Sequence, residues 1–362
     1  MRLATALLAL TLVACTGSTT RTSTTTSVAE ATTSTSPLAS STTTPSSTTI
    51  TTVPQSTTTI TRDPESLEVV AFPVPAGSRP HDVAPAVDGG VWYTAQGSGE
   101  LGRLDPETGE TRHVDLGPRS RPHGVIVDEA GTPWITDSGL NAIVAVNPAS
   151  DEVTVYPLPD SAPDANLNTA VFDNSGVLWF TGQTGFYGWL QPATGEMEVG
   201  EAPEGRGPYG ITSTPGGNIW YASLAGSHIA NVVEGGEAVI FEPPTPNQGA
   251  RRAWSDSSGS IWVSEWNSGN VSRYDPVSEV WDTWALPGDA PATYAVYVDE
   301  ADVVWLSDFG ANALVRFDPT SETFTPYPLP HQPGEVRQIL GRSGEVWGAE
   351  SAADHLVLIR TR

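Results

Sequence analysis

Tryptophan recurs along this chain with a nearly constant period, and this repeat constrains the fold more than any other feature. Seven tryptophans are separated by 42, 45, 41, 42, 43 and 42 residues. They are Trp92, Trp134, Trp179, Trp220, Trp262, Trp305 and Trp347. A turn of Gly, Ser or acidic residues precedes each one, and two more apolar segments follow it. Four short strands in each period predict a β-propeller blade, while the 35 Gly and 31 Pro disfavour helical repeats.

The two ends of the repeat region are out of phase with the tryptophans. The first strand, 66–75, resembles the fourth strand of a repeat, whereas the last segment, 355–360, resembles a third strand. Joining both in one blade would close the ring and leave no long unpaired sheet edge. The sequence therefore predicts an all-β fold over residues 64–362. It is a single seven-bladed β-propeller with four-stranded blades, and its N-terminal strand completes the last blade.

The segment before the repeats has a different character. Residues 1–15 contain one early Arg and a short apolar run that ends at Cys15, the only cysteine. The run is too short to span a bilayer, so it predicts a signal peptide, and Leu-Val-Ala-Cys resembles a bacterial lipobox. Residues 16–63 are rich in Ser and Thr, which predicts a disordered stalk. We therefore expect an extracytoplasmic, cell-membrane lipoprotein with Cys15 lipidated and the propeller exposed at the cell surface.

Charge and composition exclude several classes of function. The formal net charge is −25, and the 17 basic residues are all arginine. Such a chain repels nucleic acid and anionic membranes, so we expect membrane contact only through the lipid anchor. The absence of Lys excludes a Schiff-base lysine, and the single Cys excludes an internal disulfide or a thiolate zinc site. We expect a monomer.

A hairpin in each repeat brings two sequence positions to one rim of the ring. The first strand of a repeat, which starts at Pro80-His81 in repeat one and at Pro122-His123 in repeat two, turns back into the tryptophan strand. The start of the first strand and the end of the tryptophan strand therefore share an edge. The first position holds His81, His123, Asn168, Tyr209, Arg251, Tyr294 and, with a one-residue slip, Arg337. The second holds Ala95, Asp137, Gly182, Ser223, Glu265, Asp308 and Glu350. Varied polar residues around a central mouth are typical of a ligand site.

Closure of the ring would place blade seven beside blade one and so create an arc of ionisable residues. Glu335 and Glu350 are the candidate metal ligands, because hard divalent cations prefer carboxylate oxygen. His123 is the candidate catalytic base, with Asp137 in its own hairpin to orient the ring and His81 beside it. The alternative is that both histidines only cap turns. His113, His228, His331 and His355 fall in outer strands or loops and are interpreted as surface residues.

A second sector of the rim combines arginine with aromatic residues. It comprises Tyr209, Arg251, Arg252, Trp254, Glu265 and Trp266. Arginine in an acidic protein favours an anionic or carbonyl ligand, and aromatic rings provide stacking surfaces. The competing interpretation is an ordinary salt bridge between Arg251 and Glu265. Across the rim, the candidate ligand-binding residues are Tyr209, Arg251, Trp266, Tyr294 and Arg337.

The repeats also carry a family resemblance. The segments "GPYGITSTPGGNIWYAS" at 207–223 and "IWVSEWNSGNVSRYDP" at 261–276 resemble the streptogramin B lyases, also called virginiamycin B lyases. The resemblance extends over all seven repeats. It implies a seven-bladed propeller that linearises a cyclic depsipeptide by elimination at its ester bond. In such enzymes a His removes a proton and Mg²⁺ stabilises the developing negative charge.

The site that this resemblance implies lies in the last two blades, and this chain departs from it. Tyr294 stands where the family has its first His. The Glu-Pro-His triplet becomes Glu335-Val336-Arg337, and Glu350 matches the last acidic residue. Both carboxylates are kept and both histidines are replaced. Arg is not a base near neutral pH, and an unperturbed Tyr has a pKa of about 10.

Three functions are compatible with these observations. The first is a ligand-binding propeller that holds a small molecule or peptide at the rim of its channel without the family's chemistry. The second is a metal-dependent carbon–oxygen lyase acting on a cyclic depsipeptide or ester. The third is a lactone hydrolase, although related hydrolase propellers usually have six blades. The candidate cofactor is a divalent metal, Mg²⁺ or another, and the binding function needs none.

Overall fold

The computed structural model describes residues 63–362, and these form the propeller that the tryptophan period predicts. Seven four-stranded antiparallel sheets follow one another along the chain. The only helical element within residues 63–362 is a 3-10 turn at Pro64–Ser66. The predicted signal peptide, Cys15 and all but the last residue of the predicted stalk lie outside the described residues.

The strands of the first four blades are short and evenly spaced. Blade one contains β2 (Pro80–Pro85), β3 (Val91–Ala95), β4 (Glu100–Leu104) and β5 (Thr111–Asp115). Blade two contains β6 (Pro122–Val127), β7 (Pro133–Asp137), β8 (Ala142–Val146) and β9 (Val153–Pro157). Blade three contains β10 (Leu167–Phe172), β11 (Leu178–Gly182), β12 (Phe186–Leu190) and β13 (Met197–Glu201). Blade four contains β14 (Pro208–Ser213), β15 (Ile219–Ser223), β16 (His228–Val232) and β17 (Ala238–Phe241).

The remaining blades repeat this order, and the last one takes its fourth strand from the start of the propeller. Blade five contains β18 (Ala250–Ser255), β19 (Ile261–Glu265), β20 (Asn270–Asp275) and β21 (Val280–Ala285). Blade six contains β22 (Thr293–Val298), β23 (Val304–Asp308), β24 (Ala313–Asp318) and β25 (Thr323–Pro328). Blade seven contains β26 (Val336–Arg342), β27 (Glu345–Glu350), β28 (His355–Arg360) and β1 (Val69–Pro73).

The predicted closure is confirmed. Strand β1 pairs antiparallel with β28, from Val69 opposite Ile359 to Pro73 opposite His355. The outer edge of blade seven is therefore the N-terminal strand. This pairing ties the two ends of the described chain together, which is how a propeller avoids an open seam. No helix within residues 63–362 is long and apolar enough to cross a membrane.

The tryptophans recur because each of them joins one blade to the next. Trp92 of blade one packs in a cluster with Val125 and Ile135 of blade two. Trp347 of blade seven packs in the same way against Val83 of blade one. These clusters between blades form the core. The interpretation of the tryptophans as structural is consistent with this packing.

The acidic residue of the preceding turn has a matching structural role. In blade five, Asp256 accepts hydrogen bonds from backbone N–H groups of its own hairpin turn through one carboxylate oxygen. Its other oxygen accepts the indole N–H of Trp262 at 2.9 Å. The same bond from tryptophan to an acidic residue occurs in blades two, three and six. The turn and the buried indole therefore satisfy each other's polar groups.

Candidate functional site

The innermost strand of every blade contains a β-bulge directly after its first residue. A bulge re-aims the side chains beside it. In blade one the extra N–H, that of Asp82, donates to the Thr94 hydroxyl, which donates in turn to the carbonyl oxygen of His123 in blade two. A hydroxyl two residues after the tryptophan thus holds the bulge and links neighbouring blades.

The second residues of these strands converge on the central channel as one layer. They are the seven residues of the first predicted rim position: His81, His123, Asn168, Tyr209, Arg251, Tyr294 and Arg337. Arg337 is also the second residue of its strand. Its one-residue slip arises because the hairpin after β26 has only two residues, 343 and 344. The structure therefore brings together side chains from all seven blades.

The two histidines of this layer are in contact, with their ring planes tilted by 45°. The ring centroids of His81 and His123 are 3.9 Å apart, and the side chains come from neighbouring blades. The Nδ1–H of His81 donates to the Asp82 carboxylate at 2.7 Å. The Nδ1–H of His123 donates to the carbonyl oxygen of Asn168 at 3.1 Å. These bonds leave Nε2 of each ring as the proton acceptor.

Burial keeps both imidazoles neutral. Burial lowers the pKa of His81 well below its ordinary value, and Arg252, Arg337 and Arg251 lower it further. Burial also lowers the pKa of His123, and the neighbouring His81 adds to this effect. His81, Asp82 and His123 have the donor atoms for a metal within 4.8 Å of one another. Nearby guanidinium groups oppose a cation at this position.

Below this layer a buried ion pair crosses the channel. Arg252, the third residue of β18, donates to Asp82 of blade one at 3.0 Å and to the Thr169 hydroxyl of blade three at 2.6 Å. Arg252 and Asp82 are 3% and 1% exposed. The sequence predicts Arg252 in the second sector of the rim. Instead it separates the polar layer from the other half of the channel.

The other half of the channel is an apolar cavity of about 300 Å³. It is lined by the later residues of the inner strands, including Ile126, Phe172, Ile211 and Leu340. Trp254 also lines this cavity and contacts Tyr297 edge to face. The expectation that Trp254 belongs to the polar rim sector is therefore wrong, because it lies beyond the Arg252 layer.

Arg251 occupies the centre of an aromatic cluster. Its guanidinium carbon lies 3.5 Å from the Tyr294 ring centroid, 4.8 Å from that of Tyr209 and 4.6 Å from that of Trp266. Within residues 63–362 its one hydrogen bond is to the Tyr209 hydroxyl at 3.3 Å, and its buried Nε has no partner there. Among residues 63–362 no carboxylate pairs with it. The expected bridge to Glu265 does not form, because Glu265 accepts from Ser268, Asn270 and Ser272.

The two tyrosines beside Arg251 share a hydrogen bond. The hydroxyl oxygens of Tyr209 and Tyr294 are 2.5 Å apart. Burial raises the pKa of Tyr209 to about 12. Burial alone would also raise the pKa of Tyr294, but the Arg251 and Arg252 guanidinium groups lower it below its ordinary value. Either hydroxyl of this pair can be the donor.

The two carboxylates predicted as metal ligands already have partners. Glu335 pairs with Arg337 at 2.6 Å, and Glu350 accepts from the His331 ring at 2.7 Å. Arg337 also approaches the rings of Tyr294 and Phe309. A guanidinium beside Glu335 does not fit a Mg²⁺ ion held by that carboxylate.

Asp137 lies apart from the histidine pair. It accepts hydrogen bonds from the Ser120 hydroxyl and from the backbone N–H groups of Arg121, Gly139 and Leu140. It therefore caps the loops at the strand ends. The expectation that it orients the His123 ring is not met, because the Asn168 carbonyl takes that place.

The four remaining histidines do not share one environment. His228 is 3% exposed, so its assignment to the surface is wrong. His113 is half-buried and bonds Glu100 and the Tyr93 hydroxyl. His331 and His355 stack with centroids 3.9 Å apart beside buried Glu350. The sequence contains one signal for this group: His355 lies directly opposite Glu350 in a hairpin.

Comparisons with known proteins agree with this architecture. A model of the virginiamycin B lyase family matches residues 127–362. A search of curated proteins finds no match.

Three solved structures illustrate the likeness of fold. A streptogramin B lyase structure is 22% identical, with a TM-score of 0.75 over 82% of this chain and 98% of that chain. A catalytically inactive virginiamycin B lyase from Staphylococcus aureus with quinupristin is 19% identical, with a TM-score of 0.75 over 81% of this chain and 99% of that one. YCF48 bound to D1 peptide is 16% identical, with a TM-score of 0.64 over 84% and 98%.

Proposed function

The chain belongs to the virginiamycin B lyase family, and we propose that it is a binding protein within that family. In this proposal it holds a small organic anion or a peptide carboxylate at the mouth of its central channel. The ligand's anionic group pairs with Arg251, and its apolar part lies against the surrounding aromatic rings. The family's elimination chemistry is not part of this function.

One observation carries the proposal: Arg251 is a cation that pairs with no carboxylate among residues 63–362. The other two arginines of the channel each have a carboxylate, Arg252 with Asp82 and Arg337 with Glu335. Arg251 has only rings and a phenol around it within residues 63–362. In a chain with a net charge of −25, an unneutralised guanidinium is a specific place for an anion.

The neighbouring residues suit an anion better than a metal. His81 and His123 are neutral and can donate or accept hydrogen bonds without bringing charge. Trp266 and Phe309 contact each other edge to face beside the Tyr294 ring, with centroids 5.4 Å apart. They supply stacking area at a low cost in side-chain entropy. YCF48, a propeller of similar fold, is bound to a peptide in its structure.

Titration with matched peptide pairs tests this proposal. Short hydrophobic peptides with a free C-terminal carboxylate should bind the purified protein and change its tryptophan fluorescence, whereas their C-terminal amides should bind at least about tenfold more weakly. Arg251→Met should remove the preference. Arg273→Met is the matched control, because Arg273 also lies over two tryptophan rings but outside the channel, paired with Asp282. Equal binding of acids and amides, or an Arg251→Met protein that binds normally, would refute the proposal.

The alternative function is a metal-dependent carbon–oxygen lyase. Retention of Glu335 and Glu350 favours it, and replacement of both family histidines by Tyr294 and Arg337 opposes it. Incubation with quinupristin and Mg²⁺, followed by mass spectrometry, distinguishes the two. A linear product that disappears with Glu335→Gln would establish the lyase and overturn the proposal of binding without chemistry.

We also propose that the protein is a lipoprotein outside the cytoplasm, anchored through Cys15. The supporting observation is the apolar run that ends at this only cysteine. Cys15→Ser should move the protein from the membrane fraction to the soluble fraction of its host. Unchanged membrane association would refute the anchor.

A further inference from the structure

Three metal-binding side chains meet at the outer part of the blade-seven rim, away from the histidine pair in the channel. His331 lies in the loop between β25 and β26, Glu350 ends β27 and His355 begins β28. One ligand atom from each lies within 4.8 Å of the others. We call these three residues the rim cluster.

Glu350 differs from the acidic residues at the same position in other blades. Asp137 uses its carboxylate to cap loops with four hydrogen bonds, three of them from backbone N–H groups. Asp308 likewise accepts from the backbone N–H groups of Ala292 and Gly310. Among the described residues, in contrast, the Glu350 carboxylate bonds only His331, through the ring at 2.7 Å and through the backbone N–H at 3.4 Å. This fully buried carboxylate therefore retains capacity for a further electrophilic partner.

The His355 imidazole is arranged as a metal-binding histidine commonly is. The Nδ1–H of His355 donates to the Ala353 carbonyl oxygen at 2.7 Å. This bond fixes the ring and leaves Nε2 with a free lone pair, as backbone carbonyls do for many metal-bound histidines. The His331 side chain is 36% exposed, so an ion can reach the group from solvent.

We propose that the rim cluster binds a divalent transition-metal ion such as Zn²⁺. Two imidazoles and one carboxylate form a donor set that suits Zn²⁺ better than Mg²⁺ or Ca²⁺, which prefer oxygen ligands. A tetrahedral zinc ion with bonds of about 2.1 Å spaces its ligands roughly 3.4 Å apart. Because no two of the cluster's ligand atoms are more than 4.8 Å apart, the widest pair has to close by at most about 1.4 Å, which rotation of the imidazole rings can provide.

The charge around the rim cluster is compatible with a cation. Glu350 forms no pair with an arginine in the part of the chain that the structure describes. The strongly acidic surface also raises the local concentration of cations. A bound ion would fasten the loop that enters β26 to the β27–β28 hairpin, in the blade that closes the ring.

Calorimetric titration of Zn²⁺ tests the inference. The full chain carries Cys15→Ser, so that the lone thiol does not compete, and is first dialysed against a chelator. We expect one Zn²⁺ per chain, a higher Tm with Zn²⁺, and much weaker binding of Mg²⁺. His331→Ala, His355→Ala and Glu350→Gln should each weaken Zn²⁺ binding at least about tenfold. Binding of Co²⁺ should give the visible absorption of a tetrahedral site.

Two control variants make the result specific to the rim cluster. His113→Gln removes a histidine that also bonds a carboxylate, Glu100 at 2.9 Å, but belongs to no three-residue group. His123→Gln removes a member of the channel cluster. Both should bind Zn²⁺ normally. Absence of binding, equal affinity for Mg²⁺ or loss of binding with His123→Gln would overturn the inference. If Glu350→Gln does not fold, the two histidine variants decide. None of these outcomes depends on the ligand proposed for Arg251.

Discussion

Two clusters in this propeller, each with two histidines and one carboxylate, use the same side-chain chemistry in opposite electrostatic surroundings. In the channel cluster, His81, Asp82 and His123 are nearly inaccessible, and three arginines lie in the same part of the channel. In the rim cluster, Glu350 is buried but His331 reaches solvent.

The difference shows that residue type alone does not define a site. Both clusters bring two imidazoles together with centroids 3.9 Å apart. In the channel, Asp82 forms an ion pair with Arg252, and the imidazoles remain neutral beside the arginines. This arrangement suits an anionic ligand. At the rim, Glu350 has no arginine partner within the described residues, which suits a cation. Charges contributed by other blades decide between the two.

The largest expected effect comes from removing the cation that organises the channel cluster. Arg252→Met should lower the free energy of unfolding by about 3–5 kcal/mol, because it leaves the buried Asp82 carboxylate without a cationic partner, although the neutral His81 ring still donates to it. Adding Asp82→Asn should restore most of this loss. Urea unfolding measures both variants.

Arg273→Met is the comparison for that substitution. The Arg273 and Asp282 side chains are 36% and 41% exposed, so the loss should stay below about 1 kcal/mol. If the two arginine substitutions cost the same, the channel pair does not behave as a buried charge pair, and the contrast between the clusters fails.

The second expected effect is a dependence of stability on pH that belongs to the channel cluster. The folded pKa values of His81 and His123 lie below the unfolded value of about 6.5. The unfolded chain therefore binds more protons below this pH, and stability falls as the pH decreases below about 6.5. The loss should be about 1 kcal/mol per pH unit for each histidine.

A double variant isolates this dependence. His81→Gln with His123→Gln should reduce the slope of unfolding free energy against pH between about pH 6.5 and pH 5, measured by urea unfolding at each pH. A smaller slope should persist because burial also lowers the pKa of His228. His113→Gln, which changes a half-buried histidine outside both clusters, should keep the wild-type slope. Parallel curves for the double variant and the wild type would contradict the assignment.

The smallest expected effect compares the carboxylate at one position in two blades without added metal. Asp137→Asn should cost about 1–2 kcal/mol, because the new amide cannot accept all four hydrogen bonds of the cap. Glu350→Gln should cost less than about 1 kcal/mol, because the carboxylate serves only His331. Thermal unfolding in the presence of a chelator measures both. Equal losses would mean that Glu350 is a loop cap like Asp137.

Much of the fold follows from the sequence because its determinants are local and repeated. Each blade needs a tryptophan that packs on the next blade and a tight turn before it, so these features recur at each period. In blade five, Asp256 accepts hydrogen bonds from the backbone of the turn and from the indole of Trp262, which is six residues away. The out-of-phase strand at 66–75 also indicates closure, because a β-sheet edge requires a partner.

Within the site, the sequence by itself determined which residues occupy the channel layer, since the hairpin period fixes the second residue of each inner strand. Only the tertiary structure decided their partners. Arg252 reaches Asp82 across 170 positions of sequence, Tyr209 meets Tyr294, and His331 rather than His81 approaches Glu350. These contacts join different blades or join a loop to a strand. They depend on side-chain length and on the width of the ring, which no repeat period encodes, and they determine whether a cluster carries positive or negative charge.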